Sequence, residues 1–230
     1  MTDVAVTIAA STDRSRRSSL PDTPAHQDLF HALCADAIVA VHESGGDLYL
    51  VIPTDDPGAR SFATELQETV LPAGESAPLV DVPANDGEPD PLAALRTLRD
   101  QSTAASVALL DGRTSMIERT QLDSAAMRLR RDAVAIGPTP TGAWYYLGTS
   151  LPSDAWPATI ASQIDSLAET FEQPDRAVGV LPLLPRIRSE ESVEGMRAVL
   201  SARQSSNATV APYTSAWLEH GEVQKTIDTS

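Results

Sequence analysis

The chain has 230 residues, of which 42% are hydrophobic and 4% aromatic, with a formal charge of −15 and a sequence pI near 4.5. That length suits one large domain, the apolar share excludes global disorder, and the acidic balance excludes nucleic acid and anionic membrane surfaces as general partners. Val4–Ala9 is a short β-branched run that predicts a buried first strand, followed by a polar loop over Ser11–Ser19. Pro24–Val41 carries Leu29, Phe30, Leu33, Ala37, Ile38 and Val41 at helical spacing, and Gly45-Gly46 then turns the chain into a second strand, Leu48–Ile52. A helix over Ala59–Val70, a weak strand at Leu79–Val82 and a loop at Asn85–Pro89 lead to a helix at Leu92–Arg99. Val107–Leu110 is a buried strand stopping at Asp111-Gly112, and Ile117–Leu129 is helical. Ala133–Ile136 is a strand ending at Gly137-Pro138, and the turn Thr139–Gly142 feeds another strand, Trp144–Leu147. A helix at Trp156–Phe171, a strand at Val178–Leu181 and a helix at Ser192–Ala202 complete the pattern. Residues 1–202 are therefore expected to form an α/β domain. Residues 203–230 read as a polar tail whose Tyr213–Leu218 patch docks back as a short helix or turn.

Alternating strands and helices imply a mixed, mainly parallel sheet covered by helices on both faces. Such sheets bind ligands beyond the carboxyl ends of their strands, which singles out the loops Ser11–Ser19, Asp111–Ser115 and Gly137–Gly142. Lys225 is the single lysine beside sixteen arginines. An acidic, lysine-poor composition implies a halophilic protein, because screening over ~3 Å at molar salt removes self-repulsion. Cys34 is alone, so an intrachain disulfide or a CxxC pair is excluded. The N-terminal residues lack the pattern of a signal peptide, and no apolar run reaches the ~18–20 residues of a membrane span; a cytoplasmic location is expected.

Several chemistries are absent. The chain has no Walker-type phosphate loop, no GxGxxG after the first strand, no HExxH and no GxSxG. His26, His31, His42 and His220 do not stand at metal-ligand spacing. Kinase, dehydrogenase and hydrolase readings fall with these motifs.

The segment Ala135-Ile136-Gly137-Pro138-Thr139-Pro140-Thr141-Gly142-Ala143-Trp144-Tyr145-Tyr146-Leu147-Gly148 resembles the strand–turn–strand of the GT-A-fold glycosyltransferase-like family, which reads Gly-Pro-x-x-Asp-Gly-Gly-Tyr-Tyr-Leu-x-Gly. Val107–Asp111 followed by Gly112-Arg113-Thr114 resembles the family strand that ends in an acidic metal-binding motif. Leu181-Pro182-Leu183-Leu184-Pro185-Arg186-Ile187-Arg188-Ser189 through Leu200 is similar to the family's Leu-Pro-x-x-x-Asp-Val-Asp-Thr and final helix. Arg17-Ser18-Ser19-Leu20 stands where the family has Lys-Thr-Arg-Leu in its nucleotide-binding loop. The 2-phospholactate guanylyltransferases are a more distant sibling. The resemblance spans residues 4–202 and implies a nucleotide-diphospho-sugar transferase-like architecture.

It also implies a reaction in which a nucleoside diphosphate leaves a sugar while a carboxylate-held Mg²⁺ or Mn²⁺ neutralises the developing charge. The departures fall on that chemistry. Asp111 survives as catalytic and metal-ligating candidate, but Asp-Gly-Arg offers no second carboxylate. Thr141 stands at the family's Gly-Pro-loop acid, and Arg186 and Arg188 replace its Asp-Val-Asp pair. Two arginines repel a divalent cation, yet with Arg113, Arg14, Arg16 and Arg17 they suit bidentate grip of phosphate. Three functions follow. One is a binder of a nucleotide, nucleotide-sugar or phosphorylated metabolite with a degenerate metal site. The second is an active metal-dependent glycosyl- or nucleotidyltransferase, and the third a non-catalytic scaffold. In blander terms, Asp111 caps its turn, the arginines are surface ion pairs, and Trp144–Tyr146 is strand packing.

Overall fold

The computed structural model describes residues 2–7, 23–54, 56–85, 88–157, 177–206 and 211–228. Seven strands form one sheet: β1 (Thr2–Thr7), β2 (Leu48–Pro53), β3 (Leu79–Val82), β6 (Ser106–Asp111), β7 (Val134–Pro138), β8 (Trp144–Thr149) and β9 (Val178–Val180), in the order β3-β2-β1-β6-β8-β7-β9. A separate hairpin pairs β4 (Ala84–Asn85) with β5 (Glu88–Pro89). The pairs β1–β2, β1–β6, β2–β3 and β7–β9 are parallel, and β8 runs antiparallel to both β6 and β7. The five-residue connection 139–143 explains the β7–β8 pairing: a connection that short can join only antiparallel neighbours. This is the expected mixed, mainly parallel architecture, with β1, β2 and β6 central and parallel.

The first strand starts two residues before the expected Val4, and takes in Asp3 despite its charge. Asp3 is tolerated because it accepts a hydrogen bond from the Ser102 hydroxyl at 2.6 Å and another from the Asp47 N–H at 3.4 Å. In the Asn85–Pro89 loop, two short bridging segments replace plain coil.

Six helices are described: α1 (Pro24–Ser44), α2 (Pro57–Val70), α3 (Pro91–Gln101), α4 (Arg119–Leu129), α5 (Glu190–Ser205) and α6 (Pro212–Asp228). Three begin alike, with proline at the first helical position after Thr23, Asp56 or Asp90, whose side chain accepts an N–H from the first turn. Helix α1 ends at Gly45 with φ 76°, a left-handed turn that glycine adopts without steric cost.

Helix α1 is apolar on two sides because it is packed on two sides. Cys34, Ile38 and Val41 join Val6, Leu50 and Ala108 of the sheet, while Leu29 and Leu33 meet Met196 and Leu200 of α5 and Leu218 of α6. The opposite sheet face packs on Leu92, Leu95 and Leu98 of α3 and on Trp156. The expected helix at Trp156–Phe171 falls almost wholly outside the described residues.

The expected short docking element near Tyr213 is the beginning of a 17-residue helix. Asp36 of α1 creates its start. The Asp36 carboxylate, 3% exposed, accepts the Tyr213 N–H at 2.9 Å, the Thr214 N–H at 2.9 Å and the Thr214 hydroxyl at 2.5 Å. A residue remote in sequence thus satisfies the first-turn donors of α6.

Candidate functional site

Asp111 is the last residue of β6 and stands opposite Thr7, the last residue of β1, so both strands end at the same edge of the sheet. The chain then folds tightly on itself. The Arg113 N–H donates to Asp111 Oδ1 at 2.9 Å, and the Thr114 N–H and hydroxyl donate to the Asp111 carbonyl at 3.0 and 2.6 Å. Gly112 is required by proximity: a Cβ there would lie 2.8 Å from the Thr7 carbonyl and 2.9 Å from Cys34 Sγ.

The segment after β9 crosses the ends of the neighbouring strands. Leu181 and Leu184 donate backbone N–H groups to the Ile136 and Pro138 carbonyls at 2.8 and 3.2 Å. Thr114 and Arg186 then form an antiparallel bridge, and the Ile187 N–H donates to the Arg113 carbonyl at 3.1 Å. Arg186 is thereby laid beside Arg113. The Arg188 N–H donates to the Ser192 hydroxyl at 3.0 Å, next to Ser189 at the N-cap of α5.

Four side chains close on one another here, and a fifth stands at the rim. Arg113 is bidentate on Asp111, with Nε to Oδ1 and Nη2 to Oδ2 both at 3.1 Å, and its Nη1 donates to Glu88 Oε1 at 2.7 Å. Arg186 Nη2 lies 2.5 Å from Asp111 Oδ2 and 3.6 Å from Glu88 Oε2, and Arg188 Nη2 lies 3.8 Å from Glu88 Oε1. Side-chain exposure is 8% for Asp111, 11% for Arg186, 13% for Arg113, 21% for Glu88 and 39% for Arg188. Burial pushes the Arg113 guanidinium down, but the adjacent Asp111 and Glu88 charges and hydrogen bonds outweigh it and hold the group above its ordinary value. Three guanidiniums thus face two carboxylates in this cluster.

The structure thus brings together Asp111, Arg113, Arg186 and Arg188. Thr141 is not joined to them by any bond among the described residues. It is exposed in the β7–β8 turn, where its hydroxyl pairs with that of Thr139 at 3.1 Å. Arg14, Arg16 and Arg17 lie outside the described residues. Tyr145 and Tyr146 are fully buried, and the Tyr145 hydroxyl donates to the Pro182 carbonyl at 3.0 Å, so they pack and brace. Glu88 was missed by sequence reasoning. Nothing local distinguishes it within Asn85–Pro89; the only signal is the need of clustered arginines for counter-charge.

The donor set does not fit a divalent cation. Mg²⁺ and Mn²⁺ need several oxygen lone pairs at close range, whereas both Asp111 oxygens already accept guanidinium N–H groups. No group of three or more His, Cys, Asp or Glu suited to a metal occurs among the described residues.

No family model matches the chain, and no curated protein sequence matches it. Solved structures do. A candidate nucleotide-diphospho-sugar transferase from Desulfovibrio desulfuricans G20 superposes with a TM-score of 0.74 at 15% identity, covering 96% of this chain and 95% of that one. The chain has a nucleotide-diphospho-sugar transferase-like fold. The 4-diphosphocytidyl-2C-methyl-D-erythritol synthase of Anaerococcus prevotii DSM 20548 aligns with a TM-score of 0.55 at 14% identity, over 87% of this chain and 98% of that one. Rv0371C of Mycobacterium tuberculosis H37Rv, in complex with manganese, aligns with a TM-score of 0.50 at 13% identity, over 85% and 96%. Among the described residues, no helix is long and apolar enough to cross a membrane.

Proposed function

We propose that the charge cluster at the carboxyl ends of β1 and β6 binds the phosphate groups of a nucleotide, nucleotide-sugar or phosphorylated metabolite through arginines, without a divalent metal. In this reading the protein is a GT-A-like, glycosyltransferase-like nucleotide binder with a degenerate metal site. The observation that carries it is the placement of Arg113 and Arg186 on the two oxygens of Asp111. A guanidinium pair there supplies fixed positive charge and planar donors, the combination suited to phosphate. The site lies beyond the carboxyl ends of parallel strands, where α/β sheets hold ligands. Asp111 acts by orienting both arginines. Arg188, the most exposed of the three, is the first to meet an incoming anion. Arg14, Arg16, Arg17 and Thr141 are proposed to complete the ligand's surroundings, on the resemblance alone.

Calorimetric titration with a nucleoside diphosphate, in metal-free buffer and again with Mn²⁺, tests this reading. Binding is expected without metal. Arg186→Asp/Arg188→Asp is expected to weaken it by roughly 1.5–3 kcal/mol per lost charge-assisted contact. Binding that appears only with Mn²⁺ favours the metal-dependent glycosyl- or nucleotidyltransferase reading. No binding in either buffer favours a scaffold whose crevice is filled by its own ion pairs.

A further inference from the structure

The two carboxylates of the cluster are not equivalent. Asp111 ends a six-residue strand that is buried along its length and paired on both sides. Its oxygens also tie the turn that follows. Glu88 sits on a two-residue strand whose ladder consists of Ala84 with Pro89 and Asn85 with Glu88. It is the more exposed of the two, and its oxygens reach all three arginines, at 2.7, 3.6 and 3.8 Å. One carboxylate thus spans three guanidiniums, a set of donors that also suits the oxygens of a phosphoryl group.

We propose that Glu88 is a built-in occupant of the anion site, displaced on ligand entry, and that it thereby selects multiply charged phosphoryl groups over monoanions. The proposal rests on the anion-binding reading above and adds the basis of its selectivity. Glu88 carries one negative charge. Replacing it by a monoanionic carboxylate gains no attraction, whereas a pyrophosphate or diphosphate group brings at least two charges to three guanidiniums. Asp111 remains in place during the exchange and keeps Arg113 and Arg186 aimed, because moving it would undo the end of β6. Glu88 itself belongs to a ladder of two residue pairs.

Glu88→Gln tests this. It keeps the shape and one acceptor oxygen of the side chain and removes its charge. Inorganic pyrophosphate and acetate are titrated into the full chain, in metal-free buffer at fixed ionic strength, for the wild type, E88Q and R186Q. E88Q is expected to bind pyrophosphate about tenfold tighter than the wild type and to lose discrimination against acetate. R186Q is expected to lose binding by about tenfold or more. Thermal melting supplies a second readout. Without ligand E88Q should melt below the wild type, since three guanidiniums lose a counter-charge, and pyrophosphate should raise its Tm by more than it raises that of the wild type. Unchanged or weaker pyrophosphate binding by E88Q, with R186Q still impaired, overturns the role of Glu88 and leaves the anion site standing. Absence of binding by all three proteins overturns both.

Discussion

Arg186 shares one nitrogen between two carboxylates, while its buried Nε finds no hydrogen-bond partner among the described residues. Such a group is held by charge rather than by completed hydrogen bonding, and its stability depends on the opposing carboxylate of Asp111. Removing one partner from a buried ion pair leaves the other charge uncompensated. Asp111→Asn is therefore expected to destabilise the fold by about 3–5 kcal/mol in urea unfolding. Adding Arg186→Met to that background should recover part of the loss, giving a coupling of about 0.5–3 kcal/mol in a double-mutant cycle. Strictly additive losses would show that the two side chains do not sense each other. At this scale the sequence marked Asp111, Arg113, Arg186 and Arg188, because strand-end positions and a family-like order of segments are local properties. It did not mark Glu88, which joins the cluster through contacts made 25 or more residues away along the chain.

Among the elements, α6 depends most visibly on a partner elsewhere in the chain. Its first turn is satisfied by Asp36, and Trp217 anchors it further, donating Nε1–H to the Ala25 carbonyl at 3.0 Å and lying under the Arg197 guanidinium at 4.9 Å. Asp36→Ala removes the acceptor from two backbone N–H groups and is expected to cost about 1–3 kcal/mol, with a change in Trp217 fluorescence as α6 loosens. The effect carries a pH signature. Burial pushes the Asp36 carboxyl above its ordinary value of 3.8, against the opposing hydrogen bonds from Thr214 and Tyr213. A group whose folded value is raised contributes stability that is complete below the unfolded value and is lost as pH rises through the folded one. The stability gap between wild type and D36A should accordingly be widest below pH 3.8 and narrow as pH rises through the raised folded value. A gap that widens with pH would contradict the sign of this linkage.

For the whole molecule, the net charge of −15 dominates. Carboxylate repulsion reaches ~30 Å at 0.01 M salt and is cut to ~3 Å at 1 M, so the compact state gains from added salt. Unfolding midpoints measured between 0.1 M and 3 M potassium chloride are expected to rise. A flat or falling trend would remove the halophilic reading of the composition. The Asp111–Arg113–Arg186 cluster should respond less than the surface, because buried pairs are screened less by dissolved ions.

The sequence by itself determined the sheet. The runs around Val4, Leu48, Val107, Val134 and Trp144 are apolar on both faces, and such runs are stable only inside a covered sheet. The helix start at Pro24 was read equally locally, whereas the helices expected from Ala59 and Leu92 begin two residues and one residue earlier, at Pro57 and Pro91, behind the capping Asp56 and Asp90. Tertiary structure alone decided three other features. It extended the docked C-terminal segment into α6, because the cap comes from Asp36 on another helix. It admitted Asp3 to a buried strand, because Ser102 and Asp47 satisfy its oxygens. It also drew four charges from two segments distant in sequence into one cluster and added a fifth, Glu88. Hydrophobic periodicity is written in neighbouring residues, but the neutralisation of a buried charge is settled by whichever distant side chain the fold delivers.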